Sequence, residues 1–565
     1  MNLNIKAEQE HTYDAIVVGS GISGGWAAKE LCEKGLKTLV LERGRNVEHI
    51  KDYPTATMAP WEFKYRGWHS REMKEKHPIQ SRCYAFEEAT QHFWVNDVEN
   101  PYNEIKPFNW LRGYHVGGRS LMWGKQCYRW SDLDFEANAK DGHGVDWPIR
   151  YKDVAPWYTY VESFVGISGQ AEGLPQLPDG VFLPPMEMNC VEKHVAARIK
   201  EKYKDRIMTI GRAAHLTKGL HDRGPCQYRN MCARGCPFTG YFSSNGATLP
   251  AAAKTGNMTL RPYSIVLDVI YDEKTQKAKG VRIMDAETKQ TMEYFAKIIF
   301  LNASTLGTAA ILLNSVSSRF PTGLGNDSDQ VGRNLMDHHF GVGAGGIMEG
   351  FEDKYFFGRR PNGIYIPRFR NTNASTKRDD YVRGFGYQGG ASRGRGNGSE
   401  GIGIALKESQ SEASGEWSMW IGAWGEHLPY EDNTVRLNKD KKDKYGLPTL
   451  DIDCSFRDNE LAMRKDMLDS AKEMLESAGL KNVGGSDDMP PPGHCIHEMG
   501  TARMGRDPKT SVLNGWNQMH AVKNVFITDG ACMASSACQN PSITYMALTA
   551  RATDYAVKEL KKQNI

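Results

Sequence analysis

The 565-residue chain lacks an excess of charge that would define a partner: 71 lysines and arginines face 68 aspartates and glutamates, a net +3. No lysine- or arginine-rich block concentrates that charge, so neither nucleic acid nor anionic lipid is expected as a partner. Long hydrophobic runs are also missing. No stretch approaches the roughly eighteen consecutive apolar residues needed to cross a bilayer, which argues against direct membrane insertion. The run from Met1 to Tyr13 is polar, with no apolar segment and no small-residue cleavage site, and reads as carrying no export signal of its own. Eleven cysteines is an odd number and eight are scattered without a framework of spacings, which argues against a disulfide scaffold. What remains is an ordinary globular composition, 40% hydrophobic and 25% charged, long enough for two cores.

Asp14-Ala-Ile-Val-Val18 reads as a buried parallel strand that runs into Gly19-Ser-Gly21-Ile-Ser-Gly24, after which Trp26 to Lys34 has helical character. In that order the first glycine permits a tight turn, the second lets main chain approach a pyrophosphate, and the third lets helix pack on strand. A second apolar strand, Thr38 to Leu41, ends at Glu42, an acid placed to accept hydrogen bonds from a ribose. A dinucleotide site follows from this context, and the fingerprint does not separate FAD from NAD.

Cys226, Cys232 and Cys236 stand in C-Q-Y-R-N-M-C-A-R-G-C-P, a short irregular loop in which three sulfurs can converge on one soft metal centre. Three readings fit the spacing: an iron–sulfur site, a zinc site completed by His221, or a disulfide with one spare thiol.

Further on come a second glycine-paired loop at Gly117-Gly118-Arg-Ser120, then Val331-Gly-Arg-Asn-Leu-Met-Asp337-His338, His497-Glu-Met-Gly500-Thr-Ala-Arg503-Met-Gly505, Asp529-Gly530 and Asn540-Pro-Ser-Ile-Thr544. This ordered set spans nearly the whole chain and resembles the glucose-methanol-choline family of FAD oxidoreductases. The cysteine spacing is similar to that of the catalytic subunits of bacterial FAD-dependent sugar dehydrogenases, which carry a three-iron cluster. The resemblance implies an α/β fold, α+β overall, in which a Rossmann-like FAD-binding domain holds an inserted antiparallel-sheet substrate domain. Residues 1–340 and 481–565 would form the discontinuous cofactor domain, with the iron–sulfur loop at 221–240 and contributions to the substrate domain near 50–100 and 150–210. Residues 341–480 would bind substrate.

The same resemblance assigns roles. His497 maps to the catalytic base and Asn540 to its partner. Gly19, Gly21, Gly24, Glu42, Gly117, Gly118, Ser120, Asp529 and Gly530 map to the FAD site, and Cys226, Cys232 and Cys236 to the ligands of a 3Fe-4S cluster. Leu121-Met122-Trp123 stand where some relatives tether the flavin through histidine, which implies non-covalent FAD. Glu426 resembles an acid placed near the base, and Trp424 shares a strand face with Trp420, which suits stacking on a sugar. His338 and His339 read as structural groups, and Arg383 to Gly403 as a polar loop.

The expected activity is dehydrogenation of a sugar or glycoside hydroxyl, with the 3-hydroxyl favoured. Attack at the anomeric carbon or the 2-position, and an oxygen-using pyranose oxidase, are the alternatives. A cluster relay implies a cytochrome-type acceptor. Relatives of this type are exported folded with a small escort subunit, which implies the periplasm, with the cytoplasm as the alternative.

Overall fold

The computed structural model describes residues 7, 10–354, 360–395, 401–412 and 414–565. Two sheets organise these residues. The first collects β1 (Thr12–Val18), β2 (Thr38–Leu41), β3 (Met258–Arg261), β4 (Ser264–Asp272), β5 (Lys277–Asp285), β6 (Thr291–Leu301) and β12 (Val525–Ile527). Its order is β3-β2-β1-β6-β5-β4, with β12 also paired to β6. The strands β3, β2, β1, β6 and β12 run parallel. Thr38–Leu41 and Val525–Ile527 are buried throughout, as are Ala15–Val18 and Ile298–Leu301, and these stretches are rich in Val, Ile and Leu, as a sheet covered by helices requires. Helices α1 (Ile22–Glu33) and α4 (Ser542–Lys561) share that covering, where Ala27 and Leu31 meet Ala552 and Ala556 over Val17 and Phe300. Helix α2 (Thr305–Asn314) leaves the end of β6. The mixed α/β architecture agrees with the expected fold class.

The second sheet is antiparallel: β7 (His339–Met348), β8 (Ile364–Ile366), β9 (Phe385–Arg395), β10 (Ser414–Gly425) and β11 (Lys481–Asp487), in the order β11-β7-β10-β9-β8, with the short strand Thr209–Ile210 beyond β8. Helix α3 (Asp458–Ser477) lays Met463, Met467, Met474 and Leu475 on one face, against Val342, Ile421 and Trp417. The strand 481–487 therefore carries this sheet past residue 480. No helix of the described residues is long and apolar enough to cross a membrane.

Residues 383–395 depart from the expected polar loop. Arg383 is buried, with its guanidinium against Asp141 and Glu426, and Phe385–Arg395 is a strand paired along its length with β10. Two physical reasons explain the difference: the Arg383 charge is neutralised by carboxylates, and glycine lets the strands close. A Cβ on Gly389 would come within 2.0 Å of the Trp420 carbonyl. The stretch 396–400 lies outside the described residues.

Candidate active site

The carboxyl ends of β1, β2, β6 and β12 release their chains toward one cavity of about 1580 Å³, whose other wall is the free face of the second sheet. Open parallel sheets bind ligands at that edge. Gly19 holds φ of +91° and faces the Asn302 carbonyl, which an added Cβ would meet at 2.3 Å. Gly24 allows α1 to sit on the turn, since its Cβ would lie 1.8 Å from the Gly19 carbonyl. Gly21 is different: a Cβ there would meet nothing within 4 Å and would point into open space. The paired glycines come from across the cavity to the same place. Gly117 N–H donates to Ser20 Oγ at 2.9 Å, and a Cβ on Gly118 would meet only Gly21 Cα at 3.6 Å. Ser120 Oγ donates to the Gly117 carbonyl at 2.6 Å and fixes that turn.

Glu42 accepts from Ser20 Oγ at 2.6 Å and from Gly44 N–H at 2.9 Å, and burial holds its carboxyl above the usual range. Asp529 accepts from Thr308 Oγ1 at 2.6 Å and from Ala531 N–H, with burial raising it to about 6. A Cβ on Gly530 would strike the Glu498 carbonyl at 2.3 Å. Asn302 Nδ2 and Tyr545 Oη, both in the cavity wall, are buried without a protein partner. Glycine surfaces without side chains, buried acids and orphaned donors are what a dinucleotide would fill, so these residues fit FAD.

His497 and Asn540 both line the cavity. The His497 Nδ1 lies 2.9 Å from His338 Nδ1, and His338 Nε2 lies 3.1 Å from the Ser536 carbonyl. A carbonyl only accepts, so His338 carries its proton on Nε2 and accepts at Nδ1. The proton shared between the two rings therefore belongs to His497 Nδ1, which leaves His497 Nε2 as a free lone pair. Burial holds His338 near 4, and burial with the neighbouring His338 and Arg119 pushes His497 well below its ordinary value, so both rings are neutral. Asp337 holds the loop carrying His497 by accepting N–H bonds from Gly493, Cys495 and His497. Asn540 accepts at Oδ1 from Gln388 Nε2 at 2.7 Å, which leaves its NH₂ to offer. The reading of His338 as merely structural missed this contact; 159 residues separate it from His497 and no spacing signals it.

The cavity wall formed by the second sheet carries Trp420, 44% exposed, and Trp424, which stacks on Phe340 at 6.1 Å; Phe340 stacks in turn on His494 at 5.7 Å. Glu426 is fully buried, absent from the cavity lining, and paired to Arg383 at 2.8 Å with Arg368 at 4.0 Å. Its expected place beside substrate is corrected: two arginines draw the carboxylate into the core. Its neighbour His427 gives its main-chain N–H to Ser536 Oγ, and the carbonyl of that serine holds His338.

Cys226, Cys232 and Cys236 line one small cavity of about 30 Å³. Tyr228 N–H points at Cys226 Sγ and Gly240 N–H at Cys236 Sγ, each at 3.4 Å. His221 packs on Phe164 and is absent from that cavity; His215 is the histidine there, 3.7 Å from Cys232 Sγ. Three thiols with amide donors beside them are a donor set for a soft metal centre.

Two family models described as GMC oxidoreductase match the chain, over residues 13–340 and 429–549. A 2-methyl-1,2-propanediol dehydrogenase of Mycolicibacterium austroafricanum is 29% identical, covering 96% of this chain and 94% of its own. The fructose dehydrogenase large subunit of Gluconobacter japonicus is 26% identical over 97% and 98%, and the gluconate 2-dehydrogenase flavoprotein of Pantoea cypripedii 23% over 97% and 94%. A crystal structure of pyridoxine 4-oxidase from Mesorbium loti superposes with a TM-score of 0.59 at 16% identity, covering 96% and 99% of the two chains.

Proposed function

The chain belongs to the GMC oxidoreductase family, whose members bind FAD and oxidise CH–OH groups, and from that premise we propose that it is a dehydrogenase of a pyranose sugar or glycoside, with the 3-hydroxyl as the favoured position. Bound FAD supplies the hydride acceptor. The chain's own residues do the rest. His497 Nε2 takes the hydroxyl proton, a contribution of about 10²- to 10⁴-fold for a well-placed base. The Asn540 NH₂ holds the same oxygen, and Trp420 with the Trp424–Phe340 stack offers apolar faces for a sugar ring. The observation that carries this reading is the free Nε2 of a neutral His497 in a cavity that also fits the cofactor.

Cys226, Cys232 and Cys236 would hold an iron–sulfur cluster, probed by its iron, and pass electrons singly to a cytochrome-type acceptor. Support comes from the converging thiols and their amide donors, and from relatives named as a large subunit and a flavoprotein. The same reading places the chain in the periplasm, exported with a small escort subunit. Two measurements test the proposal: turnover of a panel of pyranoses and glycosides with dye acceptors against dissolved oxygen, with products identified by NMR, and iron with acid-labile sulfide in the purified protein. Dye-dependent oxidation of a ring hydroxyl with iron bound is expected. Oxygen consumption matching sugar oxidation overturns the dehydrogenase reading, and a flavin-loaded protein free of iron overturns the relay.

A further inference from the structure

The iron–sulfur reading leaves one cation unexplained. Lys125 is buried, 4% exposed, at φ +63° in the loop that follows the paired glycines. It lines the large cavity, and its ammonium lies 4.2 Å from the ring centroid of Tyr241, a residue of the cysteine cavity wall. It therefore stands between the cofactor cavity and the three thiols. A buried ammonium without a counter-charge costs several kcal/mol, so such a group normally finds a carboxylate. Among the described residues Lys125 has no carboxylate partner, and Cys232 and Cys236 oppose the lowering effect of burial on it. A second cation repeats the pattern. Arg223 is 6% exposed, gives Nη1 to the Val165 carbonyl and leaves Nε and Nη2 without partners, with Cys236 opposing the lowering effect of burial on it. His215 completes the surround, with Nδ1 unpartnered.

Two unpaired buried cations beside three thiols describe a place built for net negative charge. We propose that Lys125 is the buried counter-charge of the iron–sulfur site and sets its reduction potential. Each electron that enters the site adds one negative charge, and a fixed positive charge nearby stabilises the reduced form more than the oxidised one, raising the potential. Substrate oxidation delivers two electrons to the flavin. Through such a site they would cross one at a time, each passing to a one-electron acceptor before the next arrives, while the two protons go to solvent. Lys125 would favour entry of each electron into the site without touching substrate.

The inference rests on the cluster reading, and the test separates their failures. Holoenzymes carrying K125M, which keeps the stem and removes the charge, and K125R, which keeps the charge, are compared with wild type by iron content and by an EPR-monitored redox titration. In K125M the one-electron equilibrium shifts toward the oxidised form by about tenfold or more, 59 mV to more negative potential per tenfold, while K125R stays at the wild-type value. Should K125M lose iron, K125R must retain it. An unshifted potential in iron-loaded K125M, or loss of iron from both variants, overturns the role of Lys125. Wild-type protein loaded with flavin and free of iron overturns the cluster reading instead.

Discussion

Replacing His338 by phenylalanine tests the geometry of the base directly. The substitution keeps a ring of similar size but removes the acceptor at Nδ1 and the donor at Nε2. His497 Nδ1–H then keeps only Cys495 Sγ, a weak acceptor at 3.5 Å. A buried donor left unmade costs about 1–3 kcal/mol. Moving the proton to Nε2 escapes that cost, but this tautomer presents N–H to the cavity and cannot accept a substrate proton. At about 1.36 kcal/mol per tenfold, the productive tautomer falls about 5- to 150-fold. Anaerobic stopped-flow bleaching of the flavin at saturating substrate should slow by that factor while KM stays near wild type, the pattern of an interaction lost at the reacting group. His338→Gln, which offers both an acceptor and a donor, should recover part of the rate. A His338→Phe protein that binds flavin fully and bleaches at the wild-type rate would refute the tautomer argument.

The remaining predictions use the same cavity and its supports. Gly21→Ala should leave folding intact, since its Cβ meets no protein atom, yet weaken FAD retention on gel filtration; Gly24→Ala, 1.8 Å from the Gly19 carbonyl, should lower the unfolding midpoint of the protein itself. Equal effects of the two on folding would contradict this assignment. Because His497 is depressed, its neutral form persists as pH falls below the ordinary imidazole value near 6.5, so the flavin-reduction rate should show no acidic limb between about pH 6 and 7; a limb there would contradict it. Arg383→Met strands Glu426 and Asp141 and should destabilise by about 3–5 kcal/mol in chemical denaturation, and a loss within experimental error would show the pairs are not coupled to folding.

Local grammar made much of the fold readable. Strand, glycine turn and helix near the start are specified by neighbours in sequence, and β1, α1, β2 and Glu42 fall where period and spacing put them. Long-range pairings were not readable. Arg383 read as part of a polar loop and Glu426 as an acid beside the base because each was judged without the other, and Asp141, the third member, lies 242 residues from Arg383. His215 went unseen beside the thiols for the same reason: a ligand-like spacing favoured His221, whereas an isolated bridge between His215 and Tyr241 carries the former to the loop.

The dipeptide Asp337-His338 explains how one cavity joins two sheets with a base held in register. Asp337 gathers three amides of the 493–497 loop, and burial with the charge of Glu498 raises its carboxyl to about 7 while those amides oppose the rise. His338, the next residue, sets the proton on His497, and His339 begins β7, which pairs with the strand bearing Trp420 and Trp424. Base position, base tautomer and substrate wall are therefore referred to the same three residues. A side chain swung on an independent loop would lose alignment by a hydrogen-bond length with each loop motion. Fastened this way, the His497 imidazole and the tryptophan wall are both tied to the start of β7, through Asp337 and His338 on one side and the register with β10 on the other.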